Sequence, residues 1–442
     1  MKKLLVFVLA IAMTAVFALG ACTGDKGGSG TGSEGGGGEG TPAGGIELRV
    51  VTSYGGDDGN RTNYENAFHA WEDATGNSVS DDSATSNEEW KGKVNTDFET
   101  GTEPDVLFFF TNNDSDNIVN GGKVVSLEEI RAEYPDYGTN LSEELLPVSP
   151  ADGKKYALPS TGFWEALFVN KKILEEVGVP IPGADYTMDQ FIADCQKVKD
   201  AGYTPIAASL QEVPHYWWEF EVFNNGSPAT HLTVPAEADD AAGKTWAAGM
   251  DDLKTLYDKG FFPENTLTAK DADTVQLMFD GEAAFLIDGS WKVGAFLAPG
   301  AVENVDDFAV TYVPGKGERK ATDIIGGISM GYYITKQAWD DTEKREAAVS
   351  FIQHMTSDEV LASFGANGAP TAVRNAAKDD AASALVASAQ QMFVGQTSMT
   401  GAVQDLLQGP ARDALFAGVK NVVTGGDTPE KLLKKTVELN VQ

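Results

Sequence analysis

The stretch Gln276–Trp291, Gln-Leu-Met-Phe-Asp-Gly-Glu-Ala-Ala-Phe-Leu-Ile-Asp-Gly-Ser-Trp, constrains the fold more than any other part of this chain. Val275, Met278 and Phe279 fall at i, i+3 and i+4, the spacing of a buried helix face. Asp280–Gly281 then turns the chain. The apolar run Ala283–Ile287 is too short for a helix and suits a buried strand. Asp288–Gly289 ends that strand, with glycine permitting a sharp turn. Trp291 is thereby delivered just past a strand end, where α/β folds place ligands. An equally simple reading makes Trp291 a cap on the core.

Similar units recur upstream. Ile46–Ser53 alternates like a strand and runs into the loop Gly55-Gly56-Asp57-Asp58-Gly59. A helix with Tyr64, Phe68 and Trp71 on one face follows, then Asn77–Asn87, then a helix with Trp90, Val94 and Phe98. Gly101–Asp105 leads into the strand Val106–Phe110. This β-α-α-β order predicts a parallel sheet with helices on its faces. Ser126–Glu129 and Thr187–Gln190 are capping boxes that open further helices. Phe308–Pro314 reads as a strand, Ile324–Lys336 as a glycine-kinked strand pair, and Trp339–Met355 as a helix. Cys195 shares an apolar stripe with Phe191, Ile192 and Val198, which makes it a small buried hydrophobe.

The N-terminus sets the compartment. Lys2 and Lys3 precede the apolar Leu4–Leu19, the layout of an export leader. Leu19-Gly20-Ala21-Cys22 resembles a bacterial lipobox, which implies cleavage after residue 21 and acylation of Cys22. Twelve of the twenty-two residues from Gly24 to Gly45 are glycine, so this segment is expected to be a flexible tether rather than part of a core. Its typical reach is on the order of 25 Å. With 33 Lys and Arg against 66 Asp and Glu, the formal charge is −33. Such a chain repels nucleic acid and anionic lipid, and no basic run offsets this.

Several blocks taken together resemble the extracellular solute-binding proteins of carbohydrate ABC importers, the group that includes maltose-binding protein. They are Phe279-Asp280-Gly281 with Gly289-Ser290-Trp291, the Gly101 to Val106 step, Gly153–Asn170, Gly202–Ile206 and Gly368-Ala369-Pro370. Their order matches from Ile46 to the C-terminus. The resemblance implies an α/β, two-lobed periplasmic-binding-protein-like fold with three inter-lobe crossings and a ligand cleft. Lobe one would comprise 46–160 plus 328–366, and lobe two 161–325 plus 367–442. Function would be capture of a sugar or oligosaccharide by a lipid-anchored, extracytoplasmic monomer that delivers it to permease subunits, with no cofactor and no catalysis.

Candidate ligand contacts follow from the same mapping and from sugar chemistry, which needs aromatic planes for ring faces and bidentate polar groups for hydroxyls. Trp291 matches a tryptophan that commonly stacks on sugar in the family. Glu165 matches a sugar-bonding glutamate, with Trp164 beside it, and either would otherwise be a lobe-junction contact. Trp217 and Trp218 fall where the family has an aromatic-rich loop. On a strand, only one of the two would face the cleft. Tyr54 and Asp57, and Asn112 and Asp114, sit after lobe-one strands, where solvated loop residues are also common. Gly327 and Arg374 lie near the later crossings.

Three patterns point elsewhere. Gly327-Ile328-Ser329-Met330-Gly331 spells a nucleophile elbow, but strand rather than helix is expected after it. Asn112, Asp114 and Asp116 alternate like a calcium loop that lacks its glycine and its terminal glutamate. The four histidines show no zinc spacing. The competing functions are a receptor for a peptide or polyamine, and a surface glycosidase needing a carboxylate pair.

Overall fold

A computed structural model describes residues 45–56, 58–366, 368–371 and 383–440. Asp57, Arg374 and Cys22, together with the leader and nearly all of the tether, lie outside the described residues. Residues 44–442 form one compact unit. No helix among the described residues is long and apolar enough to cross a membrane.

Two sheets organise this unit. The first runs β2-β1-β3-β9, from β1 (Glu47–Val51), β2 (Ser78–Asp81), β3 (Val106–Phe110) and β9 (Met330–Ile334). Strand β1 is parallel to β2 and β3, whereas β9 returns antiparallel to β3. The helix Arg61–Thr75 buries Tyr64, Phe68 and Trp71 against this sheet and ends at Gly76, whose left-handed φ of 74° favours glycine. Helix Glu88–Thr100 starts at Asn87, whose side chain accepts a hydrogen bond from the Trp90 N–H. The short edge strand β2 lies within 77–87, where the sequence suggests only a connection. Its Ser-Val-Ser-Asp has no apolar face to announce it.

The second sheet runs β10-β8-β4-β6-β5, with β7 also pairing β4. Its members are β4 (Phe163–Asn170), β5 (Thr204–Ile206), β6 (Ala283–Gly289), β7 (Phe308–Thr311), β8 (Asp323–Gly327) and β10 (Ser398–Thr400). Central β4 is antiparallel to β6, β7 and β8. All of its residues but Phe163 are buried, as expected of a strand covered on both faces. The capping box at Thr187–Gln190 is present, and Cys195 is a buried free thiol in the second lobe's core.

The two sheets thus belong to two lobes, each with its own core. The chain crosses between them near 159–162, at 327–330, and after the helix Asp358–Gly365. All three crossings meet around Gly162, where a Cβ would lie 2.4 Å from the Gly327 carbonyl and 3.0 Å from Pro370. The Gly162 N–H donates to the Pro370 carbonyl at 2.7 Å.

Candidate functional site

A cavity of about 540 Å³ lies between the lobes, walled by residues of both. On the lobe-two side, strand β6 ends at Asp288–Gly289 and a single turn of 3₁₀-helix, Ser290–Lys292, carries Trp291 into the wall. The indole crosses so close above Gly289 that a Cβ there would sit 2.2 Å from it. Phe163 and Tyr216 flank Trp291, each ring centroid 6.1 Å away and tilted by 39° and 36°. The Trp291 carbonyl accepts the Gly59 N–H at 3.0 Å, which joins the two lobes at this point.

Glu165 projects from β4 opposite Gly289 of β6 and lines the same cavity. It is 2% exposed, and its Oε2 has no hydrogen-bond partner among the described residues. Burial pushes its carboxyl well above the ordinary range, and Asp405 and Asp288 push it further. Burial also raises Asp405, to about 6, against the pull of Lys91 and Arg412. Asp288 is raised by burial too, while Lys292, with Nζ 3.6 Å away, holds it down. Lys292 also lies 3.7 Å from Asp271. Next to Tyr216, His215 stacks on Phe416 at 4.5 Å, and burial lowers it to about 3, so the imidazole is neutral.

From lobe one, Tyr54 enters with its ring stacked on Phe108 at 4.8 Å and its hydroxyl 2.6 Å from Ser160. Lys91 lies over the Phe110 ring, 4.1 Å from its centroid. Behind this wall, Asp114 pairs with Lys91 at 3.1 Å and with Arg412 of lobe two at 2.6 Å. Arg412 reaches Glu88 as well, at 3.0 Å. Burial opposes ionisation of Glu88, but Lys91 and Arg412 outweigh it and bring the carboxyl to about 2.

Trp291, Glu165 and Tyr54 therefore meet at one cavity. Trp164 does not. It is fully buried in lobe two, where its indole N–H donates to the Gly368 carbonyl at 2.9 Å, a junction contact. The strand reading of Trp217 and Trp218 is corrected. They lie on the helix His215–Asn225, and both are buried in the lobe-two core rather than in the cavity wall. On a helix, successive side chains are about 100° apart, so two neighbours can both face the core. Asn112 caps the turn Asn113–Ser115 by accepting the Asp114 N–H, and neither it nor Asp114 lines the cavity. Gly327 ends β8 at the second crossing, outside the lining.

Tyr216, His215, Phe163, Asp288, Lys292, Asp405 and Phe416 are wall residues that sequence reading does not single out. Phe163 and Asp288 sit in motifs quoted above, and His215 and Tyr216 in the aromatic-dense stretch Val213–Phe223 around Trp217 and Trp218. Asp405 and Phe416 carry no local signal. Ser329 of the apparent nucleophile elbow lies between β8 and β9, with a strand rather than a helix after it. Among the described residues, no group of three or more His, Cys, Asp or Glu is placed to hold a metal ion.

Residues 57–362 match the family described as bacterial extracellular solute-binding protein. The chain belongs to that family. Solved structures agree with the fold of this solute-binding protein. A chitin oligosaccharide binding protein superposes with a TM-score of 0.79 at 22% identity, covering 90% of this chain and all of the other. Maltose-bound MalE3 of T. maritima gives 0.70 at 18%, covering 89% and 98%. The solute-binding protein RafE in complex with raffinose gives 0.69 at 17%, also covering 89% and 98%. No significant match occurs among curated protein sequences. The family and these neighbours are binding proteins, not enzymes.

Proposed function

We propose that this solute-binding protein is a carbohydrate receptor that feeds an ABC importer, tethered outside the cytoplasm through an acylated Cys22. The observation that carries the sugar assignment is the Phe163–Trp291–Tyr216 cluster beside Glu165 in the inter-lobe cavity. Tilted aromatic planes take the CH faces of a pyranose, and an adjacent carboxyl takes its hydroxyls. The structural neighbours bind chitin oligosaccharide, maltose and raffinose, which supports the same class.

In this reading lobe one comprises 46–160 and 328–366, and lobe two 161–325 and 367–442. The membership of β9 in the first sheet and of β10 in the second supports that division. Ligand draws the lobes together because contacts from both exist only in the closed form. The closed receptor then docks on permease subunits, as a monomer and without altering its cargo.

Tryptophan fluorescence of the mature chain, titrated with mono- and oligosaccharides, tests this. A saturable change with one saccharide series, lost in Trp291→Ala, is expected. A response confined to peptides would overturn the sugar assignment, and release of reducing sugar during the titration would overturn the absence of catalysis. Labelled palmitate incorporated by the wild type but not by Cys22→Ser checks the anchor.

A further inference from the structure

Within the cavity, acid is not balanced by base. Lys292 is engaged with Asp288 and Asp271, while Lys91 and Arg412 serve Glu88 and Asp114. Glu165 has no ion pair among the described residues, and its Oε2 is buried without a hydrogen bond. An unsatisfied buried carboxyl oxygen is costly, and one on the wall of a ligand cavity is satisfied by ligand.

The chemistry around Glu165 selects what that ligand group is. The groups that act on it electrostatically, Asp405 and Asp288, are themselves acids, and Asp288 lies on the adjoining strand β6. A neutral hydroxyl would give Glu165 one hydrogen bond and bring no positive charge to offset the acids around it. An ammonium gives three donors and a positive charge at the same point. The rings beside Glu165 suit it equally well, since the faces of Phe163, Tyr216 and Trp291 attract a cation as well as CH groups. A ligand with its own carboxylate or phosphate meets repulsion here.

We propose that the saccharide captured by this protein is an amino sugar with a free ammonium, seated against Glu165 with its ring on Trp291. The proposal rests on the sugar-receptor reading and narrows it to a cationic subclass. The raised Glu165 carboxyl agrees: burial and two acids disfavour its charge, and an adjacent ammonium restores it. The overall charge of −33 would concentrate cationic sugars at the surface, and salt would weaken that effect.

The test is a calorimetric titration of the mature chain at pH 7 with the disaccharide of glucosamine and with its N-acetylated twin. Spermidine and choline are titrated in parallel. The amine disaccharide is expected to bind at least tenfold more tightly than the twin. In Glu165→Gln, with folding checked by circular dichroism, the ratio is expected to fall below threefold. Equal or tighter binding of the N-acetylated sugar would overturn the amino-sugar proposal and leave the sugar receptor standing. Binding of spermidine or choline with no saccharide bound would overturn both readings.

Discussion

Arg412 and Asp114 meet across the cleft, Nη2 to Oδ1 at 2.6 Å, with side chains 1% and 6% exposed. The first rises from the helix Gly409–Val423 of lobe two, the second from the turn after β3 of lobe one. Glu88 and Lys91 complete the cluster. A buried pair is worth little beside a good apolar contact, yet breaking one costs about 3–5 kcal/mol. Because this pair spans the lobes, its loss falls mainly on closure. Arg412→Met is expected to weaken ligand binding at least tenfold and to leave the receptor more extended by small-angle scattering with ligand present. An unchanged Kd would show that the pair plays no part in closure.

Gly289 is the floor on which Trp291 lies. Its φ is −101°, so alanine fits the backbone, but the new Cβ would stand 2.2 Å from a rigid ring. The indole must therefore swing away from Phe163 and Tyr216. Gly289→Ala is expected to reduce saccharide affinity as severely as Trp291→Ala, by about a hundredfold. Phenylalanine at 291 should retain more, since it keeps an aromatic plane. Retention of wild-type affinity in Gly289→Ala would mean that ring placement is not what holds the ligand.

How much of this was legible follows physical lines. The strand β6 and the delivery of Trp291 are readable because a short apolar run closed by Asp-Gly admits few alternatives. Tyr54 is readable as a residue just past a strand end, whereas Glu165 is readable only through the resemblance of its segment to the family's block. The His215–Asn225 helix is not, because the aromatic cluster His215–Trp218 followed by Glu and Phe in alternation over 219–221 shows no helical period. Pro214 just before it is the one local sign of a helix start. Asp405 and Phe416 reach the cavity from C-terminal elements whose approach is fixed by packing on the rest of lobe two, and no pattern in their own segments encodes that.

Glu221 makes stability depend on pH. It is 1% exposed, accepts a hydrogen bond from Asn224 at 3.2 Å, and faces Asp252, Lys316 and Arg319. Burial, then Asp252, push its carboxyl from the ordinary 4.5 to about 7. Between those values the folded chain holds a proton that the unfolded chain has released. The associated stability is full below about pH 4.5 and is lost as pH rises through 7, on the order of 3 kcal/mol in all. Glu165, Glu219 and Asp288 are shifted the same way and add to the slope. His215 and His231, which burial lowers to about 3, oppose this slope below about pH 6.5 in wild type and variant alike, so the comparison of the two isolates Glu221. From pH 5 to pH 7.5 the wild type is expected to lose urea midpoint relative to Glu221→Gln, and a gain relative to the variant would contradict the sign.

Gly59 and Gly294 bring the backbones of the two lobes into direct contact. A Cβ on Gly294 would stand 2.1 Å from the Gly59 carbonyl oxygen, and one on Gly59 would stand 2.2 Å from the Trp291 carbonyl. Both obstacles are main chain, which cannot rotate aside as a side chain would. Gly294 lies in the helix Val293–Leu297, where alanine is preferred to glycine by up to about 1 kcal/mol. Gly294→Ala should therefore separate fold from closure. The unfolding midpoint of the unliganded protein is expected to stay level or rise, while saccharide binding weakens at least tenfold. A fall in both together would mean that the two glycines touch in the open form as well, and that closure of the lobes is not what their contact reports.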